Sequence, residues 1–185
     1  MHDILAIAGS PSQSSRSSAV LDYSKSILEA HGLQVETFTI RDIKPEDLVF
    51  ANFASQELKQ FINLVESAKG IMIATPIYKA TYTGVLKALL DLLPQYAFAG
   101  KTLFPIATGG TITHLLSIEY SMKPLFTVLG ATRIQRGIFI VDSQMQRLEA
   151  GGIQLDADIE TRLRESLLEF AADIEAQNHV LQTSL

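Results

Sequence analysis

The chain has no cysteine and no tryptophan, and it has only four histidines in 185 residues. Without cysteine there is no disulfide, no thiolate nucleophile and no ligand for an iron–sulfur cluster. The histidines, at positions 2, 31, 114 and 179, show no metal-ligand spacing, so the sequence predicts no metal site. No convincing catalytic triad stands out either, and we predict no catalytic side chain.

Long apolar runs and excess positive charge are also missing. No run approaches the roughly 20 residues that span a bilayer, and the amino terminus does not read as a signal peptide, so we expect a cytoplasmic protein with no membrane partner. The net charge of −5 argues against nucleic acid. At 47% hydrophobic and 19% charged residues, the chain is expected to fold as one domain over residues 1–176, with a flexible tail at 177–185.

Short apolar segments alternate with helical segments along the chain. The sequence predicts strands at 3–8, 34–40, 70–75, 101–108 and 133–141. Helices are predicted at 17–30, 56–68, 85–93 and 114–129, and a last one begins at Asp156 or Asp158. The stretches 41–54 and 142–154 are predicted to be irregular connections.

This alternation predicts an α/β fold, with a parallel sheet covered by helices on both faces. Five strands favour the flavodoxin-like order 2-1-3-4-5, in which a ligand crevice opens at the ends of the first and third strands. The two unusual polar loops, Gly9–Ser18 and Pro76–Gly84, follow those two strands. We therefore expect a ligand site where these loops meet.

The loop after the first strand has the composition of an anion site. Gly9–Ser18 holds six serines, one glycine and Arg16, at the start of a helix whose N–H groups and dipole attract anions. The loop lacks both G-x-G-x-x-G and the P-loop pattern. A single phosphomonoester suits it better than a pyrophosphate, and a serine-rich helix cap without a ligand is the alternative.

Two more loops follow strand ends. After the third strand, Tyr78, Lys79 and Tyr82 can line a slot for a flat heterocycle, or they can simply pack the loop. The turn Thr108–Thr111 contains paired glycines that let backbone approach a ligand, and its N–H groups can stabilise charge on a reduced heterocycle; an ordinary turn is the alternative. His114, near the next helix start, is expected to cap or pack rather than to catalyse.

One predicted helix carries a disturbance. Pro124 lies inside an otherwise apolar helical segment, where it removes a backbone hydrogen bond. Single-turn π-bulges occur in such places and often mark function. Tyr120 lies one turn earlier, which makes it a candidate functional residue, with an exposed tyrosine on a broken helix as the alternative.

Several motifs spread over nearly the whole chain carry a family resemblance. They are Ala8–Pro11, Ser15–Ser18, Ala74–Ala80, Gly84–Pro94, Ala107–Thr111 and Asp142–Gln144. Together they resemble the NADPH-dependent FMN reductase family, most closely the flavin reductases of two-component alkanesulfonate monooxygenase systems. The resemblance implies a flavodoxin-like fold, a homo-oligomer that is commonly a tetramer, and a partner monooxygenase. One departure is Ser12, where many members of the broader family carry arginine.

The resemblance also implies roles for particular residues. It places the FMN phosphate at the serine-rich loop and the ring against Pro76–Lys79 and Gly109–Thr111. The candidate cofactor-binding residues are Ser10, Ser12, Ser15, Arg16, Ser17, Ser18, Pro76, Ile77, Tyr78, Lys79, Thr108, Gly109, Gly110 and Thr111. It further implies that Tyr120 sits on a π-insertion at a subunit interface near the flavin, and that flavin is a dissociable substrate.

We therefore expect NAD(P)H-dependent reduction of FMN, with FMN and NADPH as cofactors. Hydride transfer between two rings needs stacking and orientation rather than a protein base, because the cofactor carries the chemistry. Two alternatives stay open: an enzyme that keeps FMN bound and reduces quinones or azo dyes, and a flavodoxin-type electron carrier. The choice between NADPH and NADH also stays open, since no arginine cluster for a ribose phosphate is identifiable.

Overall fold

The computed structural model describes the backbone of residues 2–183 and the side chains of residues 2–177. Its strands are β1 (Ile4–Ala8), β2 (Val35–Thr39), β3 (Gly70–Pro76), β4 (Thr102–Gly109), β5 (Arg133–Ile134), β6 (Ile138–Val141), β7 (Met145–Arg147) and β8 (Ile153–Leu155). Its α-helices are α1 (Arg16–Ala30), α2 (Pro45–Val49), α3 (Gln56–Ser67), α4 (Gly84–Leu90), α5 (Lys123–Val128) and α6 (Ala157–Thr183). A π-helix spans Ile118–Met122, and 3₁₀ turns span Ile40–Asp42, Ile112–His114 and Asp142–Gln144.

The main sheet is parallel and has the order β2-β1-β3-β4-β5, with β6 also paired to β4. This confirms the predicted α/β class and the order 2-1-3-4-5. Ala8 at the end of β1 pairs with Ala74 in β3, and Pro76 at the end of β3 pairs with Thr108 in β4. The loops that follow these three strands therefore leave from one edge of the sheet, at the switch in strand order.

Helices cover both faces of the sheet, and each face has its own apolar core. Side chains alternate between the two cores along each strand. In β1, Leu5 and Ile7 face α3, α4 and α5, whereas Ile4 and Ala6 face α1 and α6. Aromatic pairs such as Phe104 with Phe170 fill these cores, with ring centroids 5.5 Å apart.

The fifth strand differs from the prediction of one continuous strand at 133–141. It is divided into β5 and β6, because the backbone turns away at Gly137, where φ is +73°. A side chain at Gly137 would collide with the carbonyl oxygen of Pro105 in β4. Pro105 has no N–H for a neighbouring strand, so β4 can tolerate the break beside it.

Two segments predicted to be irregular contain regular structure. Pro45 opens α2, with Glu46 and Asp47 in its first turn, as the helix dipole favours. The connection after β6 forms an antiparallel hairpin, β7 with β8, which turns at Gly151 and Gly152, both with positive φ.

The helix predicted at 114–129 and the tail predicted at 177–185 also differ in the structure. The helix predicted at 114–129 becomes π-helical only at Ile118 and α-helical from Lys123 to Val128. At the carboxyl terminus, the predicted flexible tail at 177–185 is helical in its backbone through Thr183. Residues 184 and 185 lie outside the described residues, so the flexibility of the tail stays a prediction.

Candidate functional site

Backbone and side-chain hydrogen bonds tie the ends of β1, β3 and β4 together. The Gly9 N–H donates to the Ala74 carbonyl at 2.8 Å, and the Ile77 N–H donates to the Thr108 carbonyl at 2.8 Å. Thr83 joins this edge from the next helix, because its buried hydroxyl donates to the Gly9 carbonyl at 2.5 Å. The same hydroxyl accepts from the Leu86 N–H at 3.2 Å and so caps α4.

A cleft of about 260 Å³ opens at this edge of the sheet. Its lining residues are Ser10, Ser12, Ser14, Ser15, Arg16, Pro76, Ile77, Tyr78, Thr108, Gly109, Gly110 and Asp142. The structure therefore brings together most of the residues predicted from the sequence. Four predicted residues, Ser17, Ser18, Lys79 and Thr111, do not line the cleft among the described side chains, and their binding role stays a prediction.

The serine-rich loop presents hydroxyls and an open helix start to one end of the cleft. Ser10 is buried, and its hydroxyl accepts from the Ser12 N–H at 3.2 Å. Ser15 occupies the N-cap position of α1 but makes no side-chain cap. Its hydroxyl instead lies 2.8 Å from that of Ser17, and both side chains are buried. The first-turn N–H groups of α1 are thus left without a serine cap, as an anion site requires.

The segment after β6 contacts this serine-rich loop. The Asp142 carboxylate lies 3.5 Å from the Arg16 guanidinium. Arg147 in β7 donates to the Ser15 carbonyl at 2.7 Å. Sequence reasoning did not single out Asp142 or Arg147 as site residues. Two signals pointed to Asp142: its position at the carboxyl end of the last predicted strand, and its place in the motif Asp142–Gln144.

The loop after β3 forms the other wall of the cleft through a tight turn. Tyr78 and Thr81 exchange backbone hydrogen bonds of 2.8 and 3.3 Å around Lys79 and Ala80. Both central residues have positive φ, +50° and +71°, which identifies a turn that normally takes glycine or asparagine. Backbone strain of this kind is concentrated at functional sites. Tyr78, at the start of this turn, is half-exposed and lines the cleft.

Three further candidates, Thr111, His114 and Tyr120, lie on the segment that follows β4 and do not line the cleft. The Thr111 hydroxyl accepts from the Thr113 N–H at 3.3 Å and caps the short 3₁₀ turn that contains His114. Tyr120 lies within the π-helix, and 78% of its surface is exposed. In the described part of the chain, no group of His, Asp or Glu side chains is arranged to bind a metal.

The fold and the lining of the cleft together indicate a class of protein. A flavodoxin-like sheet with a hydroxyl-rich anion pocket beside a glycine-lined wall is the architecture of a protein that binds a phosphorylated flat ligand. Residues 2–146 match the family described as NADPH-dependent FMN reductase. The chain belongs to this family, which confirms the resemblance seen in its motifs.

Known proteins agree with this assignment. The chain is 44% identical over 168 residues to an FMN reductase (NADPH) of Pseudomonas putida, covering 90% of this chain and 85% of that protein. It is 44% identical over 142 residues to an FMN reductase (NADPH) of Escherichia coli K12, covering 77% and 74%. The crystal structure of the NADH:FMN oxidoreductase EMOB in its apo form superposes with a TM-score of 0.84 at 32% identity, covering 94% and 90%.

No helix in residues 2–183 is both long enough and apolar enough to cross a bilayer.

Proposed function

We propose that this chain transfers a hydride from NAD(P)H to FMN. The family match and the FMN reductases at 44% identity support this activity. One observation carries it at the level of residues. The cleft at the ends of β1, β3 and β4 is lined by serine hydroxyls and Arg16 together with Tyr78, Gly109 and Gly110.

The residues present fit the chemistry of FMN. Ser10, Ser15, Arg16 and the uncapped start of α1 would hold the phosphate, because they supply neutral and charged donors together. Pro76–Tyr78 and Gly109–Gly110 would hold the ring. Flavin itself accepts the hydride when it is bound, so the residues of this chain have to bind, orient and expose it rather than to move a proton.

Ser17 would contribute indirectly, because its buried hydroxyl meets that of Ser15.

Both relatives at 44% identity are named as NADPH enzymes, whereas EMOB is named as an NADH enzyme. We propose NADPH as the preferred donor, on the strength of the two more similar sequences.

Purified protein tests the activity and separates it from the two alternatives. We expect the purified protein to oxidise NADPH only when FMN is added. The loss of absorbance at the nicotinamide band measures this oxidation. Yellow protein that reduces quinones or azo dyes with its bound FMN would instead support the second kind of enzyme. Yellow protein that does not react with NADPH or NADH would support an electron carrier and contradict the proposal.

We also propose that the chain forms a homotetramer through the segment that follows β4, and that Tyr120 lies in that interface. Apolar side chains are exposed along this segment, at Ile112, Leu115, Leu116, Tyr120 and Val128. An exposed group of this kind is typical of an interaction surface.

A cytoplasmic monooxygenase of sulfonate sulfur assimilation is the partner that we propose for the reduced flavin.

Replacing Tyr120 with serine is expected to weaken the assembly. A buried aromatic side chain contributes about 1.5–3 kcal/mol, and each tetramer would lose several copies. Sedimentation velocity should then show smaller species than the tetramer expected for the parent protein. Phe50→Ser, which removes an exposed aromatic ring on a different segment, is the control and should sediment like the parent. Unchanged sedimentation of Tyr120→Ser would exclude Tyr120 from the interface.

A further inference from the structure

The cleft contains one cation and one carboxylate. Among its lining residues, Arg16 carries the positive charge and Asp142 the negative charge at neutral pH. Their charged groups lie 3.5 Å apart. The lining therefore has no net charge, although the proposed ligand carries a phosphate that is close to a dianion at pH 7, with a second pKa of about 6.

The backbone around Asp142 is held in place by contacts on both sides. The Gln144 amide oxygen accepts from the Val141 N–H at 3.0 Å, which closes the turn that carries Asp142. Arg147, just beyond this turn, donates to the Ser15 carbonyl at 2.7 Å. The backbone that carries Asp142 is thus held next to the serine-rich loop by contacts other than the ion pair.

The ion pair itself is exchangeable. The side chain of Arg16 is 53% exposed and that of Asp142 is 37% exposed. Pairs with this exposure contribute little stability in water, because solvent screens them. An incoming phosphate can therefore take Arg16 away from Asp142, but it then lies close to a carboxylate of the same sign.

We propose that Asp142 lowers the affinity for FMN by competing with the phosphate for Arg16 and by repelling it. This inference rests on the proposed function. The lower affinity favours release of the flavin, which an enzyme that passes reduced flavin to a partner requires. Asp142 is in this sense a specificity residue for the phosphate end of the ligand.

The test compares Asp142→Asn with the parent protein, using FMN and riboflavin as ligands. Quenching of flavin fluorescence gives the dissociation constant of each. We expect the Kd for FMN to fall about tenfold, the scale of one charge acting on a dianion across a few ångströms of water. The Kd for riboflavin, which has no phosphate, should change less than about twofold on the same grounds. Added salt should shrink the gain for FMN.

Glu149→Gln is the matched control, because it makes the same change in charge on the nearby hairpin but does not line the cleft. It should leave both dissociation constants unchanged. Weaker or unchanged FMN binding by Asp142→Asn would overturn the inference, and so would an equal gain for riboflavin. Failure of this variant alone leaves the reductase proposal standing, whereas a parent protein that binds no FMN overturns both.

Discussion

Replacing Arg16 with alanine is expected to weaken FMN binding by about 1.5–3 kcal/mol, the contribution of a charged hydrogen bond. This corresponds to a rise in Kd of about 10- to 150-fold. Arg16 is the cation among the residues that line the cleft, and its loss leaves Asp142 without this partner. The effect should therefore lie towards the upper end of that range. A fluorescence titration with FMN measures it directly.

Riboflavin separates the phosphate contact from general damage to the site. Its Kd should hardly change in Arg16→Ala, because the lost contact is to a group that riboflavin lacks. Arg162→Ala removes an exposed arginine from α6 and serves as the control for net charge. If Arg16→Ala binds FMN as tightly as the parent, the phosphate does not bind at this end of the cleft.

Replacing Thr83 with valine is expected to lower the free energy of unfolding by about 1.5–5 kcal/mol. Valine keeps the shape but loses the hydroxyl, which leaves the Leu86 N–H without its cap and the Gly9 carbonyl without its donor. A lost cap costs about 0.5–2 kcal/mol, and a buried carbonyl without a donor costs about 1–3 kcal/mol. Urea denaturation followed by circular dichroism measures the difference.

Thr83→Ser keeps both hydrogen bonds and gives up only a methyl group, so it should cost about 1 kcal/mol. A comparable loss for serine and valine would mean that packing, not the hydroxyl, holds this edge of the sheet. Because Thr83 fixes the start of the serine-rich loop through Gly9, the valine variant should also bind FMN more weakly than the serine variant.

The sheet order could be predicted from the sequence because each strand is a short apolar run followed by a helix with an apolar stripe. The pattern specifies parallel pairing, and the handedness of crossovers leaves few topologies. The position of the cleft followed from the same pattern, since the polar loops follow strands that become neighbours. Arg16 and the glycine pair at Gly109 could be assigned to it for this reason.

The missed features depend on contacts between segments that are far apart in sequence. The break in the fifth strand arises where Gly137 meets the Pro105 carbonyl, and neither residue alone predicts it. Asp142 becomes a site residue only because the short turn after β6 faces the start of α1. The hairpin β7–β8 is too short for its alternation to stand out in the sequence.

Local structure explains why two of the predicted residues, Ser17 and Lys79, do not line the cleft. Ser17 has the composition of a phosphate ligand, but at its position in α1 the side chain is fully buried. Lys79 follows Tyr78 directly, yet the tight turn places it outside the lining. Sequence proximity to a site residue does not determine the direction of a side chain when the backbone has positive φ.

A crystal structure of the complex with FMN tests the central claim most directly. We expect the phosphate within hydrogen-bonding distance of Arg16 and the serine hydroxyls after β1, and the ring between Tyr78 and the Gly109–Gly110 turn. A flavin bound at another edge of the sheet, or in this cleft with its phosphate away from the start of α1, would contradict it.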